Sequence, residues 1–440
     1  MAATPSIVTL SPKVQKLKSI LEDFVENECI PAEKIFEEQL GNAKKGTNGR
    51  FERYPPIIDE LRAKAKSLGL FNMFLPNHYP GYPTPGLSNL EYGVLCEILG
   101  RSTTLAPLAC NCNAPDTGTM EVLVKYGTDA QKKQWLDRML RGEIHSAFLM
   151  TEPNQASSDA TNISTRIEKD GKGNYVINGR KWWITNGNNP RTELYILVGK
   201  TAPDHPEKHR QQSIVLIPRH TPGITIVRNL TVFVNDAPIG HCEILLENVV
   251  VPVENIVLGE GRGFEVLQGR LGPGRIHHAM RAIGQAERAL DKLVLEATNP
   301  VKRPFGQLKA DFQKVQWDIA TSRMEIDQAR LLVFLAADMI DKKGAKGALR
   351  EIAMAKVIVP NVLQRVIDRA VQVHGAAGVS GDHELAEMFA NARTLRFVDG
   401  PDEVHTQQIA KLELRRGQKL HKAFDGYAAR TKVLEQGKKL

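Results

Sequence analysis

The stretch GNYVINGRKWWITNG, residues 173–187, decides the fold of this chain. Its aromatic and β-branched residues favour an extended strand, and the closing Asn-Gly pair is typical of a tight turn. Runs of the same kind continue to about residue 258, among them ELYILVGK, QSIVLIP, GITIVRNLTVF and CEILLENVVVP. Together they predict a β domain over residues 146–260, with the polar segment 202–212 as a surface hairpin between two of its strands.

Helical periodicity lies on both sides of these strands. KVQKLKSILEDFVENE and NLEYGVLCEILG come before them, and DFQKVQWDIATSRMEIDQARLLVFLAADMI comes after residue 263, with the length and apolar stripe of a bundle helix. A chain of 440 residues is long enough for two or three domains. We therefore predict an α+β, mostly α protein. Residues 1–145 would form an N-terminal helical domain, 146–260 a middle β-barrel or sandwich, and 261–440 a C-terminal four-helix bundle with a basic tail.

Composition narrows the class of protein. No run approaches the roughly 20 apolar residues of a membrane-spanning helix, and the five scattered cysteines fit neither a disulfide framework nor a zinc spacing, so we expect a soluble intracellular protein. Residues 411–440 contain nine Lys or Arg and three acids, so this segment accounts for +6 of the net charge of +8. Because the remainder is nearly balanced, we interpret this tail as a solvated surface, and its charge argues only weakly for a nucleic-acid partner.

Several common cofactor motifs are missing from the sequence. There is no Walker A loop, and GEGRG, residues 259–263, has neither the spacing nor the βαβ setting of a Rossmann site. No His-Glu-x-x-His or paired Cys-x-x-Cys occurs, so no metal site is predicted. His277 and His278 are adjacent and would point to different helix faces, and we expect them to pack or to contact solvent.

Two motifs follow each other in the middle of the chain. MTEP, residues 150–153, begins a segment that closes with SSD at 157–159, and NGRKWWITNG, residues 178–187, comes some twenty residues later. Either alone has an ordinary interpretation, the first as a helix N-cap and the second as a strand with a packed Trp. Their occurrence in this order calls for a common explanation.

Together the motifs resemble the signatures of the acyl-CoA dehydrogenases, and the resemblance extends from about residue 12 to 425. It implies that Thr151 binds the polar edge of the isoalloxazine of FAD. Trp183 would cover one face of the flavin, and Thr185 would reach N5. An aromatic shield beside a strand hydroxyl suits the protein's part in flavin chemistry, which is to bind and orient the ring.

A third segment of the resemblance lies in the last helical region. Gln372, Gly375 and Gly378 match the family's Gln-x-x-Gly-x-x-Gly segment, which usually binds the FAD diphosphate and adenosine of a neighbouring subunit. Phe305-Gly306 matches a pair with the same role, and Lys302 stands where the family usually has Arg. Lys302, or Arg303 beside it, would supply the positive charge. Lys302 would do so as a point charge, because its ammonium lacks the bidentate fork of an Arg guanidinium.

The resemblance also implies a catalytic base. Family members place it either on the helix that includes the Arg matched by Arg275, where LGPGRIHHAM has no acid adjacent to Arg275, or where this chain has Asp399 in RFVDGPDEVH, residues 396–405. Asp399 is therefore predicted to remove the α-proton, with Arg275 and Gly400 as substrate contacts and Glu403 as a cofactor contact. Asp402 is interpreted as a solvated acid at a helix N-terminus, where acids favour the helix dipole. The family usually has Glu at the base position, and a displacement of about 1 Å at a reacting centre can cost about 100-fold in rate.

Two departures point to a subgroup. TEPNQASSD is one residue longer than the usual TEPGAGSD, and Pro401 replaces a flavin-contacting Thr. Ser158 would still touch the coenzyme A arm. These features resemble the dehydrogenase domain of the kinase-fused acyl-CoA dehydrogenases, which are associated with acyl-CoAs that include 4-hydroxylated ones. No kinase-like segment is found in these 440 residues.

The predicted function is FAD-dependent α,β-dehydrogenation of a fatty acyl-CoA in fatty-acid catabolism, by a homodimer or homotetramer. Electrons would pass to an electron-transferring flavoprotein in mitochondria or to oxygen in peroxisomes, and Lys438-Lys439-Leu440 gives a weak peroxisomal hint. Three alternatives stay open: a nitroalkane-oxidase-like flavoenzyme, a DNA-associated flavoprotein of the same fold, and a flavin-bearing structural subunit without turnover.

Overall fold

The computed structural model of the chain describes residues 8–41, 44, 46–76, 79 and 81–437, with only the backbone for 270–273. Helices come first, a sheet follows, and long helices return after it. The predicted α+β, mostly α architecture is confirmed. The domain boundaries at 145 and 260 stay predictions, with strands running from His145 to Val257 and the next helix beginning at Gly263.

The N-terminal region is built from short and medium helices. They are α1 (Pro12–Phe24), α2 (Ile30–Leu40), α3 (Pro56–Ser67), α4 (Asn89–Arg101), α5 (Leu105–Ala109), α6 (Asp116–Tyr126), α7 (Asp129–Gln131) and α8 (Asp137–Leu140). Ser88 and Glu91 form a capping box at the start of α4, which satisfies backbone donors that a helix end would otherwise leave unpaired. The first turn of this central helix is therefore fixed by its own sequence.

The middle region contains ten strands. They are β1 (His145–Leu149), β2 (Arg166–Lys169), β3 (Asn174–Thr185), β4 (Thr192–Lys200), β5 (Gln212–Pro218), β6 (Ile224–Asn229), β7 (Thr231–Val232), β8 (Asn235–Asp236), β9 (His241–Pro252) and β10 (Ile256–Val257). The main sheet has the order β10-β5-β4-β2-β3-β9-β6, with β1 parallel to β4, while β7 and β8 form a small hairpin. β4 and β5 are antiparallel neighbours, so segment 202–212 connects them as predicted.

Both faces of the central strands are buried. In β4, Leu194 and Ile196 belong to the hydrophobic cluster that extends through the helical regions, whereas Tyr195 and Leu197 belong to a second cluster inside the β region. Successive side chains of a strand point to opposite faces. The sheet is therefore packed against the helices on one side and against its own strands on the other.

The C-terminal region is dominated by three long helices. The elements are α9 (Gly263–Ala297), α10 (Gln313–Gly347), α11 (Leu349–His374), α12 (Leu385–Thr394), α13 (Asp402–Leu414) and α14 (Gly417–Gly437). α9, α10 and α11 pack on one another, and α4 joins them by contacting α9 and α10. Within the part of the chain that the structure describes, no helix combines the length and apolar character that crossing a bilayer requires.

Two glycines set the crossing of α4 and α9. A Cβ added to Gly100 would lie 2.0 Å from the backbone oxygen of Arg281, and one added to Gly284 would lie 1.8 Å from that of Glu97. No side chain fits at either position, so the two backbones are in direct contact here. Arg330 of α10 binds Glu97 and Glu287 beside the crossing, tying the three helices together.

Candidate active site

The two middle motifs are adjacent in the structure. The Trp182 backbone N–H donates to the Thr151 carbonyl at 3.0 Å, and the register of β3 with β9 shifts between Lys181 and Ile184. A β-bulge of this kind re-aims side chains. Trp183 at the bulge has φ of 54° and is 40 % exposed, so its ring lies on the surface of the sheet near Thr185.

A buried ion pair between Lys181 and Glu152 connects the same two motifs. The Lys181 ammonium donates to Glu152 and to the carbonyls of Met150 and Val198, each within 2.9 Å. Glu152 also accepts from the backbone N–H and hydroxyl groups of Ser164 and Thr165. Burial would raise the pKa of Glu152, but Lys181 and these donors hold it at about 2. The pair fixes the loop that carries Thr151 against the strand that carries Trp183.

His241 is a neighbour of the predicted flavin residues that the sequence did not reveal. It lies opposite Thr185 in the β3–β9 ladder, and its Nδ1 is 3.0 Å from the Thr185 hydroxyl. Its ring is 5.8 Å from that of Trp183. Burial lowers the pKa of His241 to about 4, so the neutral imidazole contacts Thr185 at neutral pH. Cross-strand register, which pairs residues 56 positions apart, was the missing information.

These residues fit an isoalloxazine. A half-exposed indole beside a strand hydroxyl offers one apolar face and one polar contact, which is what a flat, polar-edged ring requires. Thr151, Trp183 and Thr185 are thus brought together as the resemblance implied. Ser158, predicted to touch the coenzyme A arm, is exposed on the same loop as Thr151.

The C-terminal cofactor residues form a second group at the ends of α9 and α11. The Lys309 ammonium donates to Glu296, at the end of α9, and to the Val373 carbonyl at the end of α11. This ion pair brings the loop with Lys302, Arg303 and Phe305 next to the segment with Gln372, Gly375 and Gly378. Phe305 is 94 % exposed.

The structure separates the two cationic candidates of this group. Lys302 binds both carboxylate oxygens of buried Glu296 at 3.0 Å. Arg303 is exposed, and its Nε donates to the Gly306 carbonyl at 3.3 Å. Arg303 therefore has donors left for a phosphate, whereas Lys302 is held in an ion pair. We interpret Arg303 as the better phosphate ligand.

A pair of substitutions tests this distinction. Arg303→Gln is expected to weaken FAD retention about 10- to 100-fold, because a hydrogen bond to a charged group contributes about 1.5–3 kcal/mol. Lys302→Gln serves as the matched control and is expected to lower thermal stability while leaving the FAD dissociation constant within about threefold, a small part of the contribution of such a bond. Fluorescence titration of the apoprotein with FAD measures both constants. A larger loss of affinity in Lys302→Gln would reverse the assignment.

Asp399 lies in a turn between α12 and α13. Its φ is 57°, a region that Asp tolerates better than most residues, and its carbonyl accepts from Arg275 Nε at 2.9 Å. Gly400 follows with φ of 109°, and a Cβ there would lie 2.9 Å from His405 Nε2. Only glycine fits this position. The structure therefore brings Asp399, Gly400 and Arg275 together, as predicted.

The Asp399 carboxylate lies against the helix that carries Arg275. Residue 274, adjacent to Arg275, is a glycine, and a Cβ there would lie 3.2 Å from Asp399 Oδ2. The carboxylate thus faces the helix on which the resemblance would allow an alternative base. The missing side chain at Gly274 leaves that space to the short Asp399.

His278 contributes a further polar group. Its Nε2 is 3.6 Å from Asp399 Oδ2, and its Nδ1 is 3.2 Å from an Arg281 nitrogen that can only donate. Nδ1 then accepts from Arg281, which leaves Nε2 as the ring nitrogen that faces Asp399. His278 therefore neither packs in the core nor simply contacts solvent. His277 does pack, with its ring perpendicular to that of Tyr92 at 5.0 Å.

A lysine completes the surroundings of the Asp399 turn. The buried Lys356 ammonium donates to the carbonyls of Leu395 at 2.5 Å and Gly400 at 3.3 Å. Burial lowers the pKa of Lys356 to about 8, against the opposing effect of Asp399 and Asp402. Burial, together with Arg275 and Lys356, lowers the pKa of His405 to about 4. Arg275 and Lys356 supply positive charge on two sides of the turn.

The acids that follow Asp399 have different surroundings. Asp402 accepts from Arg396 Nε at 2.7 Å and from the Asn361 amide at 3.0 Å, so it connects α13 to α11 and is not the freely solvated helix-start acid that the sequence suggested. Glu403, the predicted cofactor contact, is exposed in the first turn of α13.

Comparison with known proteins identifies the family of the chain. The chain matches the family models for the N-terminal domain (residues 11–143), the middle domain (147–249) and the C-terminal domain (261–414) of acyl-CoA dehydrogenase. It is 49 % identical over 407 residues to FadE2 of Mycobacterium tuberculosis, named as an acyl-CoA dehydrogenase, covering 92 % of this chain and 97 % of that protein.

Longer relatives and a solved structure are also similar. Acyl-CoA dehydrogenase family member 10 of Mus musculus is 48 % identical over 410 residues, and the alignment covers 92 % of this chain but only 37 % of the mouse protein. A solved structure described as an acyl-CoA dehydrogenase of Mycobacterium abscessus is 43 % identical with a TM-score of 0.87, covering 93 % of this chain and 100 % of that one. The chain therefore belongs to the acyl-CoA dehydrogenase family, whose cofactor is FAD.

Proposed function

We propose that the chain catalyses the α,β-dehydrogenation of a fatty acyl-CoA thioester, with Asp399 as the base. The observation that carries the proposal is the position of the Asp399 carboxylate against α9, the helix on which the resemblance would allow an alternative base: a Cβ at Gly274 would lie 3.2 Å from its Oδ2. Bound FAD would supply the acceptor for the hydride that leaves the β-carbon. The family's established use of FAD and the fit of Trp183 and Thr185 to a flavin support this assignment.

The residues around Asp399 would act on the proton and on the charge that develops. Asp399 Oδ2 takes the α-proton, and His278 Nε2 lies 3.6 Å from the same oxygen. Arg275 holds the backbone carbonyl of Asp399 and thereby fixes the direction of its side chain. Gly400 allows the turn to pass close to His405. Positioning of this kind can supply a large part of a rate enhancement.

We propose further that the acyl group carries a hydroxyl or a similar polar substituent. His277 is 2 % exposed and its Nδ1 has no hydrogen-bond partner among the described residues. The Tyr92 hydroxyl beside it has no hydrogen-bond partner assigned among the described residues and lies near the weakly bonding thiols of Cys96 and Cys112. Burial, followed by the positive charge of Arg281, lowers the pKa of His277 to about 3, so its ring is neutral. Unpaired polar atoms in a buried site favour a ligand that bonds them.

A substrate screen tests both levels of the proposal. Purified protein with bound FAD is mixed anaerobically with acyl-CoAs in matched pairs, one plain and one hydroxylated at equal chain length, and flavin bleaching is recorded. We expect bleaching by acyl-CoA, with at least about tenfold preference for the hydroxylated partner. Equal rates within the pairs would refute only the polar substituent. Bleaching by nitroethane alone would refute the thioester reaction itself.

The partners and the compartment are also proposals. We propose a homodimer or homotetramer, because exposed Phe305 and the Gly375 segment suit a neighbouring subunit's cofactor. The electron acceptor would be an electron-transferring flavoprotein in mitochondria or oxygen in peroxisomes. The Lys438-Lys439-Leu440 sequence that hints at a peroxisome lies outside the described residues. A role in fatty-acid catabolism follows if the screen identifies a fatty acyl-CoA.

A further inference from the structure

The last helix of the described chain has no packing partner. α14 contains 21 residues, none of them buried, although Leu420, Phe424, Tyr427 and Leu434 are large and apolar with 46 to 68 % exposure. Helices in proteins owe most of their stability to packing of an apolar face, and each interior glycine such as Gly426 costs about 1 kcal/mol. The helix therefore presents apolar side chains that need a partner.

The spacing of these side chains indicates what kind of partner. Leu420, Phe424, Tyr427, Thr431 and Leu434 are separated by four, three, four and three residues, which is the alternation of a and d positions in a coiled coil. These five side chains form a narrow stripe along the helix, the seam along which two helices would pair. A helix that lies on a membrane surface has a broader apolar face.

Charges beside the seam specify the orientation. With Thr431 at position a, Arg430 occupies g and Glu435 occupies the e position five residues later, the two positions that meet across a parallel pair. Both side chains are exposed, and neither takes part in an ion pair with another described residue. In a two-fold symmetric pair, Arg430 of each copy would face Glu435 of the other.

We propose that α14 pairs in parallel with α14 of a second copy of this chain, as a two-stranded coiled coil. A two-fold axis along the seam lets the same surface serve both subunits. The interface is separate from the flavin residues and does not depend on the proposed reaction. Three heptads are short, so the pair would act together with contacts between the bodies of the subunits, which raise the effective concentration of the helices.

Cysteine crosslinking tests the pairing directly in the full-length chain. All five natural cysteines are buried, so Thr431→Cys adds an exposed thiol at a seam position where the two copies would meet. Mild oxidation should give a covalent dimer on the order of 100-fold faster than in Val433→Cys, whose thiol lies off the seam, because pairing raises the local thiol concentration. Equal rates at the two positions would overturn the proposal.

Substitutions in the Thr431→Cys background test the seam and the charges. Leu434→Lys should slow crosslinking about 100-fold by placing charge in the seam, whereas neighbouring Val433→Lys, equally exposed, should leave it unchanged. Arg430→Glu should slow it, and Arg430→Glu with Glu435→Arg should restore it. If the swap restores nothing, the parallel arrangement is wrong. If no crosslink forms, and the protein instead binds phosphatidylserine vesicles in a way that Leu434→Lys abolishes, α14 would be assigned to a membrane surface.

Discussion

Replacing Asp399 by Asn is expected to slow the bleaching of bound flavin by an acyl-CoA about 100- to 10,000-fold, the usual contribution of a positioned general base. The amide has the same shape as the carboxylate but cannot take the α-proton. Arg275 binds the backbone carbonyl of residue 399, which the substitution leaves in place. The turn should therefore keep its geometry, and FAD content and thermal stability should change little. Stopped-flow absorbance under anaerobic conditions measures the rate.

Asp402→Asn is the matched control, since it removes a carboxylate three residues further along. Asp402 binds Arg396 and Asn361, so the control should lower the melting temperature but not the bleaching rate per bound flavin. Asp399→Glu extends the carboxylate by one methylene and should lose about 100-fold if the site is built around the shorter acid. Undiminished bleaching in Asp399→Asn would exclude Asp399 as the base.

Replacing Lys181 by Met is expected to destabilise the protein by about 3–5 kcal/mol, because it leaves the Glu152 carboxylate buried without its counter-charge. Lys181 is fully buried and Glu152 is 2 % exposed, so water cannot take over the lost contact. The flavin should also be held less firmly, because the pair joins the loop of Thr151 to the strand of Trp183. Urea unfolding followed by circular dichroism measures the free energy of unfolding.

Lys169→Met provides the comparison for this variant. Lys169 is 62 % exposed and binds Glu260 at the surface, where an ion pair contributes about 0–1 kcal/mol. A loss below about 1 kcal/mol in Lys181→Met as well would refute the role given to the buried pair. Acid should destabilise the wild-type protein in the same way as Lys181→Met, by breaking the Glu152–Lys181 ion pair. The folded-state pKa of Glu152 is about 2, below its ordinary 4.5, so its contribution is complete above pH 4.5 and disappears as the pH falls towards 2.

The sequence predicted the features that are local in the chain. The strand pattern around Trp183, the long bundle helices and the position of Asp399 can each be recognised within a short window. The Glu152–Lys181 pair lies in the same two motifs, yet its formation depends on a β-bulge and a loop packing together, which no window contains. His241 and Thr185 meet only because the β3–β9 register is fixed, and a shift of one residue would turn His241 to the opposite face.

Charged residues near each other in sequence were the hardest to assign. Lys302 and Arg303 are equivalent in a sequence comparison, and only the fold shows that Glu296 at the end of α9 binds the first of them. Asp402 looked like a solvated acid at a helix start, where acids favour the helix dipole. Its contact with Asn361 depends on α11 packing against α13. His278 was expected to pack or to contact solvent, because its neighbour Asp399 lies 121 positions away in the sequence.

The backbone contact of α4 with α9, at Gly100 and Gly284, has a consequence for how the protein could change its substrate. Because no side chain fits at either position, the separation of α4 and α9 cannot be adjusted in small steps by mutation at their crossing. Tyr92 and His277 lie on these two helices, so the room beside them is set by side-chain size and not by helix movement. Evolution or engineering of the preferred acyl chain length would then proceed by exchanging side chains, while the distance between α4 and α9 stays constant.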